Sequence, residues 1–113
     1  MNTLLLGRWG EALAAEYLRK KKYRVTAVNY RSRFGEIDLV AEDKKTVVFV
    51  EVKLRKNDKY GRASEFVTIS KQKKIVATAR VWMSQNPTEK VLRFDVIEIN
   101  DNEINHIKNA FFA

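Results

Sequence analysis

A chain of 113 residues with 45% hydrophobic content is large enough for one compact core and too apolar for a disordered segment. Lys and Arg number 22 against 14 acidic residues, a balance of +8 that favours a polyanionic partner, nucleic acid first. No apolar run reaches the ~20 residues of a membrane span, no segment joins a basic face to an uninterrupted apolar one, and the absence of Cys removes disulfides and thiolate zinc sites.

One domain over residues 1–113 is therefore expected, cytoplasmic and without a membrane partner, because Leu4-Leu5-Leu6 is too short for a signal-peptide core and lacks a basic flank. Residues 5–21 read as a first helix, rich in good helix formers and free of Pro. At about 100° per residue Glu11 falls among Gly7, Ala14, Ala15 and Leu18, on the small apolar face. Either it is a core-edge carboxylate reaching solvent or an Arg, or it serves a site. Trp9 and Leu13 lie on the other side, so the helix is apolar nearly all round, as burial between layers or a dimer contact would require. The run from Arg19 to Arg24 reads equally as a solvated, dipole-matched helix end and as a phosphate grip. A strand follows from Tyr23 to Tyr30, and Arg31 and Arg33 behind it are candidates for phosphate contacts.

Residues 35–42 and 47–55 carry the chemistry. Both alternate as strands, and Asp43-Lys44-Lys45-Thr46 between them has turn composition, so an antiparallel hairpin is expected. On the second strand Val48, Val50, Val52 and Leu54 share one face; Val47, Phe49, Glu51, Lys53 and Arg55 share the other. On the first, Ile37, Leu39 and Ala41 oppose Glu36, Asp38, Val40 and Glu42. Pairing Glu42 with Val47 sets Asp38 across from Glu51 and Glu36 across from Lys53. Facing carboxylates repel unless a proton or cation lies between them, and a hard divalent ion such as Mg²⁺ suits all-oxygen ligands. Lys53 beside them would polarise a phosphate or orient water. The plainer account of Glu51 and Lys53 is an exposed ion pair.

Residues 56–65 form a polar, basic stretch read as a substrate-facing loop, with an ordinary surface loop the other account. The second helix is expected at about 70–84, N-capped by Thr68 or Ser70 and followed by Pro87, with Ile75, Ala79, Trp82 and Met83 in the core. Lys71 and Gln72 sit in its first turn; Lys71 is also readable as one of several surface lysines. A strand at 91–99 reads as buried on both faces, with Asp95 interrupting it to meet an Arg or a helix N-terminus. A turn at 100–103 and a short strand or tail over 104–112 end the chain, where Phe111 and Phe112 suggest packing or an oligomer contact. His106 is the sole His and lacks the companions a soft metal site needs.

The motifs Gly7-Arg8-Trp9-Gly10-Glu11, Asn29-Tyr30-Arg31, Gly35-Glu36-Ile37-Asp38, Phe49-Val50-Glu51-Val52-Lys53-Leu54-Arg55, Lys71-Gln72 and Arg93-Phe94-Asp95-Val96-Ile97 resemble, in order and spacing, the bacterial YraN-like family. That family is placed among the PD-(D/E)xK nucleases related to archaeal Holliday-junction resolvases. Leu54 departs from the pattern, standing where a smaller or polar residue is expected. The resemblance implies a three-layer α/β sandwich with a mixed central sheet, restriction-endonuclease-like, in the order α-β-β-β-α-β-β. It further implies a Mg²⁺-dependent endonuclease, with Mn²⁺ as substitute, acting on DNA and on branched DNA in particular. Asp38, Glu51 and Glu11 would hold the metal, Lys53 would assist, Gln72 and Lys71 would position water or phosphate, and Arg31, Arg33 and Arg55 would meet the backbone. A homodimer is expected by the same resemblance. The rival readings are a non-catalytic nucleic-acid-binding module on the same scaffold, and an RNase.

Overall fold

The computed structural model describes residues 3–55, 67–101 and 103–113, with side chains from residue 5 onward. The expected loop at 56–65 lies outside the described residues. The elements are α1 (Thr3–Lys20), β1 (Arg24–Ser32), β2 (Gly35–Glu42), β3 (Thr46–Arg55), α2 (Ile69–Gln85), β4 (Val91–Asn100) and β5 (Glu103–Phe111), in the expected order. The five strands form one sheet in chain order, antiparallel except where β3 meets β4 in parallel. No helix among the described residues is long and apolar enough to cross a membrane.

One helix covers each face. Ala14, Ala15 and Leu18 of α1 pack on Leu39, Ala41, Val48, Val50, Ile97 and Ile99. On the other face Ile75, Ala79 and Trp82 of α2 pack on Val40, Val47, Phe49, Phe94 and Val96. Aromatic contacts thread the second core: Phe49 stands edge-on to Trp82 at 5.6 Å and stacks on Phe94 at 5.3 Å, which stacks on Phe111 at 5.2 Å. Phe111 is thus a packing residue, whereas Phe112 is 77% exposed.

Local chemistry accounts for the ends of the elements. Thr68 caps α2 by accepting from the Lys71 N–H at 3.1 Å. Asp43 closes the β2–β3 turn, its carboxylate accepting from the N–H groups of Lys45 and Thr46 at 2.9 and 2.8 Å. α1 stops where Lys22 takes a left-handed φ of 74°, with the Tyr23 N–H bonded to the Leu18 carbonyl and the Lys22 N–H to that of Arg19, both at 3.0 Å. This is the closing pattern that glycine usually serves, and a side chain there is strained. Lys22→Gly is accordingly expected to stabilise the protein by roughly 0.5–1 kcal/mol in urea unfolding, and a loss would contradict the strain argument.

One expectation about faces is corrected. Ile37 packs in the α2-side core with Val40 and Phe49, not beside Leu39 and Ala41 in the α1-side core. The alternation therefore breaks between Ile37 and Leu39. There the β2–β3 ladder ends, at Leu39 opposite Val50, and Asn29 on the neighbouring strand takes a φ of 52°. Asp38 stands at the break.

Asp95, wholly buried, organises a second irregularity. Arg93 grips it through Nε at 2.9 Å and Nη2 at 2.9 Å, His106 Nε2 lies at 2.6 Å, and the Asn109 N–H donates at 3.1 Å where β5 bulges around it. The expected Arg partner is therefore present. Beyond it, His106 Nδ1 meets the Tyr17 hydroxyl at 3.1 Å, and Arg93 Nη2 donates to the Tyr23 hydroxyl at 2.9 Å. Burial pushes the Asp95 carboxyl up, but His106, Arg93 and the Asn109 N–H outweigh it and hold the group below the ordinary carboxylate range.

Candidate functional site

The sheet topology decides where the polar residues meet. β3 runs out of the core toward its charged end, and α2 connects it to the parallel strand β4, so α2 begins near that end. α1 crosses the same end from the opposite face, and Gly10 permits its approach. A Cβ at Gly10 would lie 2.6 Å from a Leu54 methyl carbon, so Leu54 fills the space a larger residue on α1 would need. A cavity of about 380 Å³ results, lined by Leu6, Gly7, Glu11, Asp38, Glu51, Val52, Leu54 and Lys71.

Within it, Asp38 turns toward β3 and accepts the Val52 N–H at 2.8 Å, so its side chain takes up a donor the finished ladder has left. Its register neighbour Glu51 is 4% exposed and hydrogen-bonds to it. Burial first, then the hydrogen bond and negative charge of Glu51, push the Asp38 carboxyl up to about 8. Asp38 thus holds its proton more tightly than an ordinary carboxyl, the alternative to a bound cation. Glu51 Oε2 ion-pairs with Lys71 and, at 3.9 Å, with Lys53. The two amines differ. Lys53 is pushed down by burial and by repulsion from Lys71. For Lys71, burial also works against the charge, but Glu51 and Asp38 outweigh it and its pKa rises.

Glu11 reaches the site from α1, held by the Asn29 amide, whose Nδ2 donates to Glu11 Oε1 at 3.0 Å. Oxygens of Glu11, Glu36 and Asp38 all lie within 4.8 Å of one another. Asp38 therefore belongs to two groupings, one with Glu51 and one with Glu11 and Glu36. The donors are all carboxylate oxygens, a set suited to a hard divalent cation and unsuited to a soft one.

The model of the family described as "Uncharacterised protein family UPF0102" matches residues 10–99. A UPF0102 protein of Vibrio parahaemolyticus is 48% identical over 109 residues, covering 93% of this chain and 90% of that protein. The chain belongs to the UPF0102 family. Similar UPF0102 proteins occur in Thermodesulfovibrio yellowstonii, 45% identical over 112 residues (99% of this chain and 100% of that protein), and in Francisella tularensis subsp. novicida, 41% identical over 114 (98% and 97%). The family match spans Glu11, Asp38, Glu51, Lys53 and Lys71.

The other expected site residues of this UPF0102 chain are placed elsewhere. Gln72 donates to the Val67 carbonyl at 2.9 Å and lines a separate hollow with Ile69, Lys73, Val76, Arg80 and Phe112. Arg55 is engaged by Glu98 of β4 in a largely buried ion pair. Arg31 lies 3.6 Å from Glu36, its side chain 76% exposed, and Arg33 stacks on Phe34 at the hairpin tip with 4.7 Å to the ring centre. Glu36 does not face Lys53 across a ladder; the β2–β3 pairing ends before it, and it pairs with Arg31 of β1 instead. Two residues of the candidate site were not named as site residues from the sequence. Glu36 carried a signal, lying two positions from Asp38 on one strand. Asn29 carried only a weak one, a polar residue inside a strand.

Proposed function

We propose that this UPF0102 protein is a divalent-metal-dependent phosphodiesterase of the PD-(D/E)xK kind, with a restriction-endonuclease-like fold, acting on DNA. The observation that carries the reading is the pairing of Asp38 with the buried Glu51, flanked by Lys53 at the open end of β3. Asp38 and Glu51 would hold the ion, Mg²⁺ by preference, with Glu11 completing the set from α1. Such an ion, when bound, supplies Lewis-acid stabilisation of a phosphate and activation of water. The chain's own groups do the rest. Val52 N–H fixes the Asp38 carboxylate, and Asn29 fixes that of Glu11. Lys53, whose proton is the more readily released of the two amines, is placed to exchange it with water or the leaving oxygen. Lys71, firmly protonated, is placed to meet the non-bridging phosphate oxygens. The excess of 22 basic over 14 acidic residues supplies attraction to the nucleic-acid backbone.

One observation favours a second reading, a binding module without turnover. Lys71 already ion-pairs with Glu51, so the site has a cation of its own. Labelled junction, flap, single-stranded and duplex DNAs, with an RNA set beside them, separate the two. The nuclease reading expects cutting of at least one substrate with Mg²⁺ or Mn²⁺, none with EDTA, and binding without cutting by Lys53→Ala. Equal binding by both proteins with no cutting on any substrate would establish the module instead.

A further inference from the structure

A second concavity, of about 290 Å³, adjoins the carboxylate cavity. Leu6, Trp9, Leu54, Arg55, Ile99 and Asp101 line it, and Leu6 and Leu54 line both cavities. Trp9 is 38% exposed here, although a tryptophan gains by covering its ring. The wall behind it is fixed, because Leu54 is seated against Gly10 of the same helix. Neither the carboxylate chemistry nor the core makes any use of Trp9.

We propose that this concavity receives an unstacked nucleobase from the strand whose phosphate lies at the carboxylate site, with Trp9 as its stacking face. Three features select a base over an aliphatic occupant. The walls are apolar and include an aromatic ring, which attracts any base through its π-face without regard to sequence. The lining also carries polar groups, the Asp101 carboxylate as a hydrogen-bond acceptor and Arg55, which ion-pairs with Glu98, and these match a base edge better than a hydrocarbon. The concavity also continues directly from the place where a phosphate is read, so one nucleotide chain can occupy both. A base within a duplex is covered on both faces and enters only at the cost of unstacking and unpairing it. The occupant therefore comes from single-stranded, frayed or branched nucleic acid, which defines the substrate class of the proposed phosphodiesterase. The inference rests on that reading for the position of the phosphate.

Intrinsic fluorescence tests it without any cleavage. Trp82 is 5% exposed and packed on Phe49, so changes in emission on adding an oligonucleotide in EDTA report Trp9. A short oligothymidine is expected to quench wild type. Trp9→Ala should weaken oligothymidine binding about tenfold and leave blunt duplex binding within about twofold, while Trp9→Phe retains most of the affinity. Unchanged emission, or a Trp9→Ala variant that binds oligothymidine like wild type, would overturn the proposal. If light scattering shows instead that Trp9→Ala converts a dimer to a monomer with single-strand affinity intact, the occupant is a second copy and the proposal also falls. Because binding is read in EDTA, a failed cleavage assay leaves this result standing, and a failed stacking assay leaves the cleavage result standing.

Discussion

Asp38→Asn is expected to lower metal-dependent cleavage about 10³-fold or more and, at the same time, to stabilise the protein by roughly 2–4 kcal/mol at pH 7. Burial and the adjacent Glu51 raise the Asp38 carboxyl to about 8, against an unfolded value near 3.8. The native state therefore keeps a proton that the unfolded state has released, and wild-type stability falls as pH rises through that interval. Asn has no charge to desolvate. It also retains an oxygen for the Val52 N–H and gains a donor for Glu51. The gain over wild type should be absent below the unfolded pKa, grow through neutrality and level off above about 8. Urea unfolding of both proteins across that range measures it. A variant no more stable than wild type at the alkaline end would contradict the account of the pair.

Asp95→Ala is expected to cost about 3–5 kcal/mol, the scale for breaking a buried ion pair from one side. The side chain is wholly buried and joins Arg93, His106 and the backbone of Asn109. Its loss leaves the Arg93 guanidinium, 15% exposed, bonded to the Tyr23 hydroxyl but without its carboxylate partner, and unties His106 from β4. The carboxyl is held below its usual range, so its contribution is present above the ordinary carboxylate pKa and lost as pH falls through the depressed folded value. Chemical unfolding at pH 7 and at pH values below the ordinary carboxylate range should show the gap between variant and wild type narrowing only in the acidic samples. A cost under about 1 kcal/mol at pH 7 would mean the network relaxes around the gap. Because Asp95 lies outside the carboxylate cavity, cleavage per folded molecule should be unchanged.

The two aspartates explain what could be read in advance. Asp38, Glu51 and Lys53 were legible because period-two alternation and a four-residue turn fix a register, and Glu42 does pair with Val47. The same reasoning failed at Ile37, since alternation presumes an unbroken ladder and Asp38 replaces a ladder bond with a side-chain one. The left-handed Asn29 that holds Glu11 is invisible to a pattern of polar and apolar residues. The Glu98 partner of Arg55 could not be read in advance, because it comes from β4, whose parallel pairing depends on the whole crossover. Gln72 and Lys71 are adjacent in sequence, yet a helix turns about 100° between them, and only Lys71 points at Glu51. The helix itself, with its Thr68 cap, was plain from composition.

The Asp38–Glu51 pair is proposed to take a divalent ion in exchange for a proton. Calorimetric titration of the wild type with Mn²⁺, in buffers of different ionisation enthalpy, tests it most directly. The account predicts saturable binding with proton release at pH 7 that fades above about pH 8, and loss of that binding in Glu51→Gln. Binding of the same strength in Glu51→Gln, or none at millimolar Mn²⁺ in the wild type, would contradict it.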